Sequence, residues 1–582
     1  VDNKYAVVQQ IQEQAKQQAP QQILLSSASR KLRIIPIGGV SDIGDRNMTV
    51  FEYGEDIVVI DCGIAFPPRE MLGVDSLIPD VSYLEQRKGN IRGMIFTHGH
   101  EDHIGSVPYI WPKLVCPMYA TPLTCGLIQH KLNEAGITDA SLTAVQEGDR
   151  LHFGQISIEM VRLTHSIPDV LGLAIRCPAG LFFYATDWRL EHTPALGQPA
   201  DWTRIAQLAG EGITALFSDS TNVDRAGYSP SERIIGEAFD RIFQETKGRI
   251  IIAQFSSQIN RIQQVINSAK KFGRKIAISG RSMETYVTIA MQLGYLRVPD
   301  GMLVDIRKVN TLEPNRVAIL STGSQGEEFS SLTRISEGEH RHIKLDKSDT
   351  VVISASAIPG NEDAVNRLID NLYREGANVI HSKLMTDIHV SGHPSRDELK
   401  LMFALTQPRY FIPIHGGYHN LIEHGKLAIE MGVEEQNVMI MENGRVAEFD
   451  NRGGKLTDER IPIEDVMIDG LGIGDVGPIV IRERQLLGNE GIVTTFLVVK
   501  QSNGELLASP DIISRGFIYM REAEDLMHKL REEVKTSYAR AKEQHGINSD
   551  ETRQAMRDAL SQFLFQATGR NPLVIPVITT IA

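Results

Sequence analysis

The run 97–103, Thr-His-Gly-His-Glu-Asp-His, constrains this chain more than any other feature, and it directly follows the short apolar run 93–96. A short apolar run bounded by glycine predicts a buried strand. A tight turn after that strand would direct two histidines at one metal ion, and the aspartate with the last histidine at a neighbouring one. The four candidate ligands are His98, His100, Asp102 and His103. This mixture of nitrogen and oxygen ligands suits Zn²⁺, with Mn²⁺ as the harder alternative.

Three further candidate ligands each follow an apolar segment of their own. They are His165 after residues 156–163, Asp187 after residues 180–186, and His415 after residues 410–414. Because α/β sheets place their sites at the carboxyl ends of strands, we expect these side chains to meet the first motif. A carboxylate in that position would bridge two cations. The pattern therefore predicts a two-metal centre.

Two features close to these motifs have less specific meanings. Asp61 ends the apolar run 57–60 and is followed by Cys62-Gly63. It would either orient a ligand histidine or form a simple turn before glycine. The glycine-rich run 38–44 fits neither the dinucleotide fingerprint nor the P-loop, so it predicts a tight turn near the active site.

The order of these residues resembles the metallo-β-lactamase superfamily. Residues 218–222, 389–393 and 414–416 resemble the three motifs of the β-CASP nucleases, and residues 322–327, 358–362 and 509–516 resemble the ribonuclease J family. The resemblance extends from about residue 31 to the C-terminus. It implies the α/β fold class, with a metallo-β-lactamase αβ/βα sandwich, an inserted β-CASP parallel α/β domain and a small C-terminal α/β domain.

Composition places the chain among ordinary globular proteins, at 42% hydrophobic and 23% charged residues. No apolar run approaches the ~20 residues of a membrane helix, and we recognise no signal peptide, so no membrane partner is expected. The cysteines, Cys62, Cys116, Cys125 and Cys177, form no CxxC pair. Their scatter argues against disulfides and thiolate zinc sites and favours a reducing cytoplasm.

The net charge of −13 argues against indiscriminate binding of nucleic acid. Local charge matters more than the total, because divalent cations supply positive charge around a phosphate. A narrow basic channel therefore stays compatible with the acidic composition.

The chain divides into segments of different composition and pattern. We expect a mobile Gln-rich arm (1–30), the first part of the metallo-β-lactamase domain (31–223), the β-CASP domain (224–381), a return segment of the first domain (382–450), a linker (451–465) and a C-terminal oligomerisation domain (466–582). In the insertion, strands are predicted at 249–255, 275–279, 316–322 and 350–355, with helices at 259–272 and 363–374. The last part predicts strands at 491–501 and 573–581, with helices at 522–543 and 550–565. The regular β/α alternation of the insertion predicts a parallel sheet there.

The candidate ligands divide into two sets that share one carboxylate. His98, His100 and His165 would hold one metal, and Asp102, His103 and His415 the other, with Asp187 bridging. His393 is the candidate that protonates or stabilises the leaving 3′ oxygen, although a helix-capping histidine before Pro394 is the structural alternative. Asp219 is expected to contact a metal ligand without binding a metal ion itself. The resemblance implies that His389, Val390, Ser391, Gly392 and His393 contact the substrate.

The resemblance also implies an activity. His415 stands where RNA-cleaving β-CASP enzymes have histidine and DNA-cleaving ones have valine. The family implies 5′→3′ exoribonuclease action on single strands with a 5′-monophosphate, some endoribonuclease activity, and roles in mRNA decay and rRNA maturation. It implies two Zn²⁺ ions, with Mn²⁺ or Mg²⁺ as alternatives, a homodimer or homotetramer, and RNA-decay partner proteins. It further implies a structural Ca²⁺ bound by Gly73, Asp75 and Asp469.

Three departures from the family pattern concern end preference or rate. Gly416 is followed by Gly417 instead of glutamate, Ser41 and Asp42 replace Gly-Glu in the glycine-rich run, and Asn260 stands where histidine is common. None of them removes a ligand.

Two other functional classes are compatible with a two-metal core. A small-molecule metallohydrolase of the thioesterase or lactamase type would need no insertion of about 150 residues, so the insertion disfavours it. A non-catalytic RNA-binding subunit would usually lack ligands, whereas this chain keeps all seven.

Overall fold

The computed structural model describes residues 31–40, 45–68, 70–358, 360–518 and 524–582. The predicted arm 1–30 and the departures at Ser41 and Asp42 lie outside these residues. The described chain forms two compact units. One contains the residues up to 65 and from 78 to 465, and the other contains residues 66–77 and 466–582. No described helix is long and apolar enough to cross a membrane.

Two facing sheets form the centre of the first unit. The eight-stranded sheet has the order β20-β19-β1-β2-β3-β5-β6-β7. Its strands are β1 (Leu32–Gly38), β2 (Met48–Tyr53), β3 (Asp56–Ile60), β5 (Ile91–Ile95), β6 (Met118–Ala120), β7 (Leu142–Ala144), β19 (Arg445–Asp450) and β20 (Gly453–Arg460). The six-stranded sheet has the order β18-β12-β11-β10-β9-β8. Its strands are β8 (Arg150–Phe153), β9 (Ile156–Leu163), β10 (Val170–Cys177), β11 (Gly180–Tyr184), β12 (Ala215–Asp219) and β18 (Tyr410–Ile414).

A single apolar core joins these two sheets. Phe51 and Val58 from the first sheet belong to the same buried cluster as Leu173, Phe182 and Phe217 from the second. Two sheets that each bury one face against the other give a sandwich. Strands β11, β12 and β18 run parallel to one another, so their carboxyl ends lie at one edge.

A third sheet lies between β12 and β18 in sequence. It is wholly parallel, with the order β14-β15-β13-β16-β17. Its strands are β13 (Ile250–Ala253), β14 (Lys275–Ser279), β15 (Val317–Ser321), β16 (Thr350–Ile353) and β17 (Asn378–His381). Residues of β13 and β16 are buried throughout, as expected for a parallel sheet covered on both faces. The predicted β/α alternation is confirmed here.

Helices surround the three sheets. Those of the first unit are α1 (Ser82–Glu85), α2 (Glu101–Ile104), α3 (Val107–Leu114), α4 (Pro122–Glu134), α5 (Trp202–Glu211), α6 (Arg233–Glu245), α7 (Ile259–Lys271), α8 (Arg281–Gln292), α9 (Ser331–Ser336), α10 (Glu362–Arg374), α11 (Arg396–Thr406) and α12 (Tyr418–Glu430). Helix α10 buries Ala364, Leu368 and Leu372, which are spaced four residues apart and therefore share one face. Helix α11 starts at a capping box of Ser395 and Glu398, which ends the segment before it.

Within the residues that the structure describes, the second unit contains two small sheets and three helices. One sheet has the order β22-β21-β4 and the other β24-β23-β25. The elements are β4 (Ser76–Ile78), β21 (Val466–Asp469), β22 (Gly472–Ile473), α13 (Pro478–Glu490), β23 (Ile492–Lys500), β24 (Asp511–Arg515), α14 (Glu524–His545), α15 (Asp550–Thr568) and β25 (Leu573–Ile581). Buried residues of α14 and α15 pack with those of β23 and β25 in one cluster.

The prediction of a linker over residues 451–465 was wrong for most of its length. Residues 453–460 form β20, which pairs antiparallel with β19, and residues up to 465 belong to the first unit. Gly454 does not mark a chain break. It lies opposite Phe449, and a Cβ there would stand 2.1 Å from the Phe449 ring.

Candidate metal centre

The seven predicted ligands follow strand ends and meet at one edge of the sandwich. Strand β5 ends at Ile95, and the short helix α2 begins at Glu101, so the first motif turns sharply between them. The other ligands follow β9, β11 and β18. All seven belong to groups whose ligand atoms lie within 4.8 Å of one another.

The backbone at this edge is held in an uncommon conformation. Asp61, Thr186 and His415 have positive φ angles of 63°, 40° and 51°. Residues other than glycine rarely adopt this region, and strain of this kind is concentrated at functional sites. Two of these residues meet at Thr97, whose hydroxyl donates to Asp61 and accepts from Thr186, and the third is a predicted metal ligand.

The first group contains His98, His100, His165 and Asp187. Nδ1 of His100 lies 3.0 Å from Nε2 of His98 and 3.2 Å from Nε2 of His165. Oδ2 of Asp187 lies 3.9 Å from Nε2 of His98 and 3.8 Å from Nε2 of His165. Tetrahedral zinc with bonds of about 2.1 Å separates its ligand atoms by about 3.4 Å. The spacing therefore fits one ion.

The second group contains Asp102, His103, His415 and the same Asp187. Oδ2 of Asp187 lies 3.4 Å from Nε2 of His103 and 3.3 Å from Nε2 of His415. Oδ2 of Asp102 lies 3.6 Å and 3.2 Å from the same two nitrogens. Among the described residues, the buried Oδ1 of Asp187 has no hydrogen-bond partner. An unpaired buried oxygen on the carboxylate that the two ligand groups share is what bound cations would satisfy.

Burial sets the protonation of the first three histidines. It lowers the pKa of His98 and of His165 well below the usual value, and that of His100 to about 4, with the neighbouring imidazoles adding to the effect for His98 and His165. Neutral imidazoles have the lone pair that a metal ion requires.

Carboxylates dominate the second group. Burial alone would lower the pKa of His103, but the charges of Asp102 and Asp187 raise it to about 10. Burial would also lower the pKa of His415, but the Asp187 charge and hydrogen bonds with Asp102 and Asp219 outweigh burial and raise this pKa well above its usual value. Burial would raise the pKa of Asp187, yet His415 and His103 lower it to about 2. Without metal, the positive charges of protonated His103 and His415 therefore balance the negative charges of the neighbouring carboxylates.

Hydrogen bonds from outside the groups orient the ligands. Oδ2 of Asp61 accepts from Nδ1 of His103 at 2.8 Å, which favours the orienting role over the simple turn. The carbonyl of Gly392 accepts from Nδ1 of His165 at 2.6 Å, and the Thr221 hydroxyl lies 2.9 Å from Nδ1 of His415. Each contact engages the ring nitrogen that faces away from the group, so the other nitrogen stays available for a metal.

His393 and Asp219 lie beside the second group. Oδ2 of Asp219 accepts from Nδ1 of His393 at 2.6 Å. Both residues also belong to a third group of potential ligands, with Asp187 and His415. Burial lowers the pKa of His393, but Asp219 outweighs burial and raises the pKa overall.

The segment 389–393 lies against the first group. His389 is half-buried, and desolvation together with the Arg261 charge lowers its pKa to about 3. The side chain of Ser391 accepts from Nδ2 of Asn222 at 2.8 Å. A Cβ on Gly392 would stand 2.7 Å from the ring of His165. Only glycine therefore allows the segment to approach this ligand so closely.

Asn47 is a site residue that the sequence did not indicate. Its Nδ2 lies 3.3 Å from Oδ2 of Asp102 and 3.1 Å from Nε2 of His103. It follows the glycine-rich run, whose Gly39 carbonyl accepts from the backbone N–H of His415 at 3.1 Å. A polar residue directly before β2 was the available signal.

A cavity of about 340 Å³ opens beside His165. Arg189, Glu232 and Asn260 also line it. Nδ2 of Asn260 is 3.5 Å from the Ser166 carbonyl, while its Oδ1 is buried without a partner among the described residues. The departure at Asn260 therefore bears on the shape of this cavity.

The three residues of the predicted calcium site belong to the second unit. Oδ2 of Asp75 accepts from the backbone N–H of Gly470 at 2.8 Å. Oδ2 of Asp469 accepts from Nη2 of Arg484 at 2.5 Å, and the same guanidinium lies beside Gly73. An arginine cation thus neighbours the position, and calcium binding stays a prediction.

Comparisons with known proteins agree with this geometry. The chain is 39% identical over 555 residues to Ribonuclease J2 of Bacillus subtilis, which covers 95% of this chain and 99% of that protein. This chain belongs to the ribonuclease J family. Ribonuclease J 1 of Streptococcus pyogenes serotype M3 is 38% identical over 557 residues, with 96% and 99% covered. Ribonuclease J 2 of Staphylococcus aureus is 35% identical over 559 residues, with 96% and 100% covered.

Family models match successive parts of the chain. They are “Metallo-beta-lactamase superfamily” at 42–131, “Ribonuclease J, beta-CASP domain” at 247–372, “Zn-dependent metallo-hydrolase RNA specificity domain” at 380–440 and “Ribonuclease J C-terminal domain” at 479–581. A crystal structure of a protein of unknown function from Enterococcus faecalis V583 matches with a TM-score of 0.50 and 16% identity, covering 72% of this chain and 100% of that one. That likeness concerns the fold alone.

Membership of the ribonuclease J family confirms the α/β fold class that the motifs predicted. It makes the chain a metal-dependent ribonuclease, a hydrolase whose substrate is RNA. The His and Asp groups described above support the use of divalent metal ions.

Proposed function

We propose that this ribonuclease J family member hydrolyses RNA phosphodiesters with two Zn²⁺ ions. One ion is assigned to His98, His100 and His165, the other to Asp102, His103 and His415, and Asp187 is shared. The observation that carries the proposal is Oδ2 of Asp187, which lies 3.3–3.9 Å from ligand nitrogens of both groups. When bound, a pair of divalent ions activates a water molecule and neutralises phosphate charge during in-line attack.

In this proposal His393 supplies the proton that the leaving 3′ oxygen takes up. Its side chain is 22% exposed, whereas His165 and His415 are at most 3% exposed, so it faces the open side of the site. Asp219 holds Nδ1 of His393, which leaves Nε2 to face the substrate. Because Asp219 raises the His393 pKa, the acid form persists to higher pH than for a free histidine.

We infer 5′→3′ exonuclease action with preference for a 5′-monophosphate. Within the described residues, the backbone N–H groups of Val390, Ser391 and Gly392 make no hydrogen bond. The Ser391 hydroxyl accepts two hydrogen bonds, so its own hydrogen stays available. Consecutive free amides next to a hydroxyl form a concavity that suits a terminal phosphate. The endonuclease activity and the roles in mRNA decay and rRNA maturation belong to the same proposal, on the family resemblance.

The C-terminal unit is proposed to pair subunits into a dimer or tetramer. One face of its sheet packs against α14 and α15. On the other face, Phe496, Ile513 and Ile575 are 36%, 43% and 38% exposed. Alternating strands that expose large apolar side chains on one face are suited to protein contacts. We also propose that the protein binds RNA-decay partner proteins. A cytoplasmic location is proposed because the four cysteines are unpaired.

The decisive experiment compares RNAs that differ only at the 5′ end. Metal-depleted protein is reconstituted with Zn²⁺, Mn²⁺ or Mg²⁺ and given 5′-monophosphate, 5′-triphosphate or 5′-hydroxyl RNA labelled at the 3′ end. Fast release of mononucleotides from the monophosphate substrate, with Zn²⁺ sufficient, is the expected result. Equal rates on all three ends would contradict the assigned end preference. A thioester panel serves as the control for small-molecule hydrolysis.

A further inference from the structure

The segment 388–393 is held by its backbone carbonyls. Ser354 Oγ donates to the Ile388 carbonyl at 2.6 Å, Arg261 to Val390 at 3.3 Å, Arg189 to Ser391 at 3.1 Å, His165 to Gly392 at 2.6 Å, and Asn222 to His393 at 3.1 Å. These donors come from separate parts of the chain. These carbonyls therefore point into the protein, while the amide N–H groups of Val390, Ser391 and Gly392 stay free within the described residues.

Two of these donors are buried guanidinium groups. The side chains of Arg189 and Arg261 are 1% and 0% exposed. Oε1 of Glu232 lies 2.9 Å from Nη2 of Arg261 and 3.8 Å from Nη1 of Arg189. A buried charge without a partner is strongly destabilising, so Glu232 keeps both arginines in place. Neither role was apparent from the sequence.

The three residues come from different parts of the fold. Arg189 follows the shared ligand Asp187 by two residues, and its backbone N–H donates to the Thr164 carbonyl, directly before His165. Glu232 directly precedes α6, the first helix after β12. Arg261 lies in the first turn of α7 and donates to the Ser354 carbonyl beyond β16 at 2.7 Å. The three charged side chains Arg189, Glu232 and Arg261 therefore link the region of the metal ligands to the inserted sheet.

We propose that Glu232 is a positioning residue, which holds Arg189 and Arg261 against the carbonyls of Ser391 and Val390 and so sets the distance of the segment 389–393 from the metal centre. This inference rests on the substrate role proposed above for that segment. Through these three charged side chains, the position of the inserted sheet determines the position of His393 and the free amides relative to the metal centre.

The two arginines do not depend on Glu232 equally. Arg189 also pairs with Glu191, whose Oε2 lies 3.1 Å from its Nη2. Among the described residues, Arg261 has no carboxylate partner besides Glu232. Neutralising Glu232 therefore leaves Arg261 without a carboxylate partner. We expect Val390 to move first, because Arg261 holds its carbonyl. Val390 lies two residues before Gly392, which contacts His165.

The test is Glu232→Gln in the full-length holoenzyme, with Asp349→Asn as the matched control. Asp349 is also a buried carboxylate of the inserted part, 2.6 Å from Arg249, but Arg249 donates to the Lys344 carbonyl instead of the segment. We expect Glu232→Gln to lower kcat about 10²-fold and to raise KM, because both His393 and the proposed phosphate-binding amides move, with unchanged metal content. The control keeps the kcat of the wild type, although both variants lower the melting temperature.

Two conservative variants guard against loss of folding. Glu232→Asp keeps the charge and should recover part of kcat. Arg261→Lys keeps the charge balance but loses the planar fork that reaches two carbonyls, so it should lower kcat as Glu232→Gln does. If both Glu232→Gln and Arg261→Lys keep the wild-type kcat, the positioning role is refuted. A wild-type protein that degrades no RNA would instead refute the proposed function.

Discussion

Oδ2 of Asp219 lies 2.6 Å from Nδ1 of His393, and the other oxygen of the same carboxylate lies 3.7 Å from Nδ1 of His415. One buried carboxylate therefore contacts both the proposed proton donor and a proposed metal ligand. Any change to Asp219 should alter the acidity of His393 before it alters the fold, because this contact sets the charge next to the ring.

Asp219→Asn should move the alkaline limb of the pH–rate profile to lower pH. Burial lowers the His393 pKa, while the Asp219 charge raises it beyond that loss. A general acid works only when protonated, so activity falls as pH rises through its pKa. Removing the charge lowers that pKa. Single-turnover rates between pH 5 and 10 give the profile, and an unmoved limb would mean that His393 is not the acid.

His393→Ala should lower kcat by about 10²–10⁴, the usual share of general acid catalysis. Metal content should stay at the wild-type value, since all seven proposed ligands remain. Metal analysis of the purified variant is the matched measurement. Loss of one ion would instead assign His393 to the third ligand group, with Asp187, Asp219 and His415.

Asp102→Asn and His103→Ala should each abolish RNA cleavage with little loss of fold. Both side chains belong to the one-turn helix α2, outside the apolar core of the two sheets. Circular dichroism should match the wild type, while metal analysis detects loss from the second group. Wild-type cleavage by either variant would contradict the ligand assignment.

Metal binding should release protons and strengthen with rising pH. In the metal-free protein the carboxylates of Asp102 and Asp187 hold the pKa of His103 at about 10, although burial opposes them. At neutral pH this proton must leave before Nε2 binds a cation. Calorimetric titration in buffers of different ionisation enthalpy measures the release. A zinc affinity that does not change between pH 6 and 9 is the contrary outcome.

Ending the chain after Asp465 should leave the metal ligands in place and convert the oligomer to a monomer. All seven ligands precede this point, as does β20. Residues 66–77 would lose the rest of their unit, so a full-length Ile513→Asp, Ile575→Asp variant is the second arm. Sedimentation of both proteins gives the mass. An unchanged oligomer in both would place the interface elsewhere.

The sequence was most informative where one short strand delivers one polar side chain. His165, Asp187 and His415 could be predicted because each directly follows an apolar run. Glu232 could not, since a glutamate before a helix usually faces water, and only packing across the insertion buries it. The polar strand β20 was missed because it is an edge strand with mostly exposed or half-buried residues, which gives no apolar alternation.

The parallel pairing of β12 with β18 also bears on synthesis. Asp219 stands beside Ile414 in that pair, with the entire inserted sheet between them in sequence. His415 therefore joins the centre only after the ribosome has released β18. A nascent chain that ends before this point would lack a proposed ligand of the second group, so we expect it to cleave no RNA until β18 has joined the sheet.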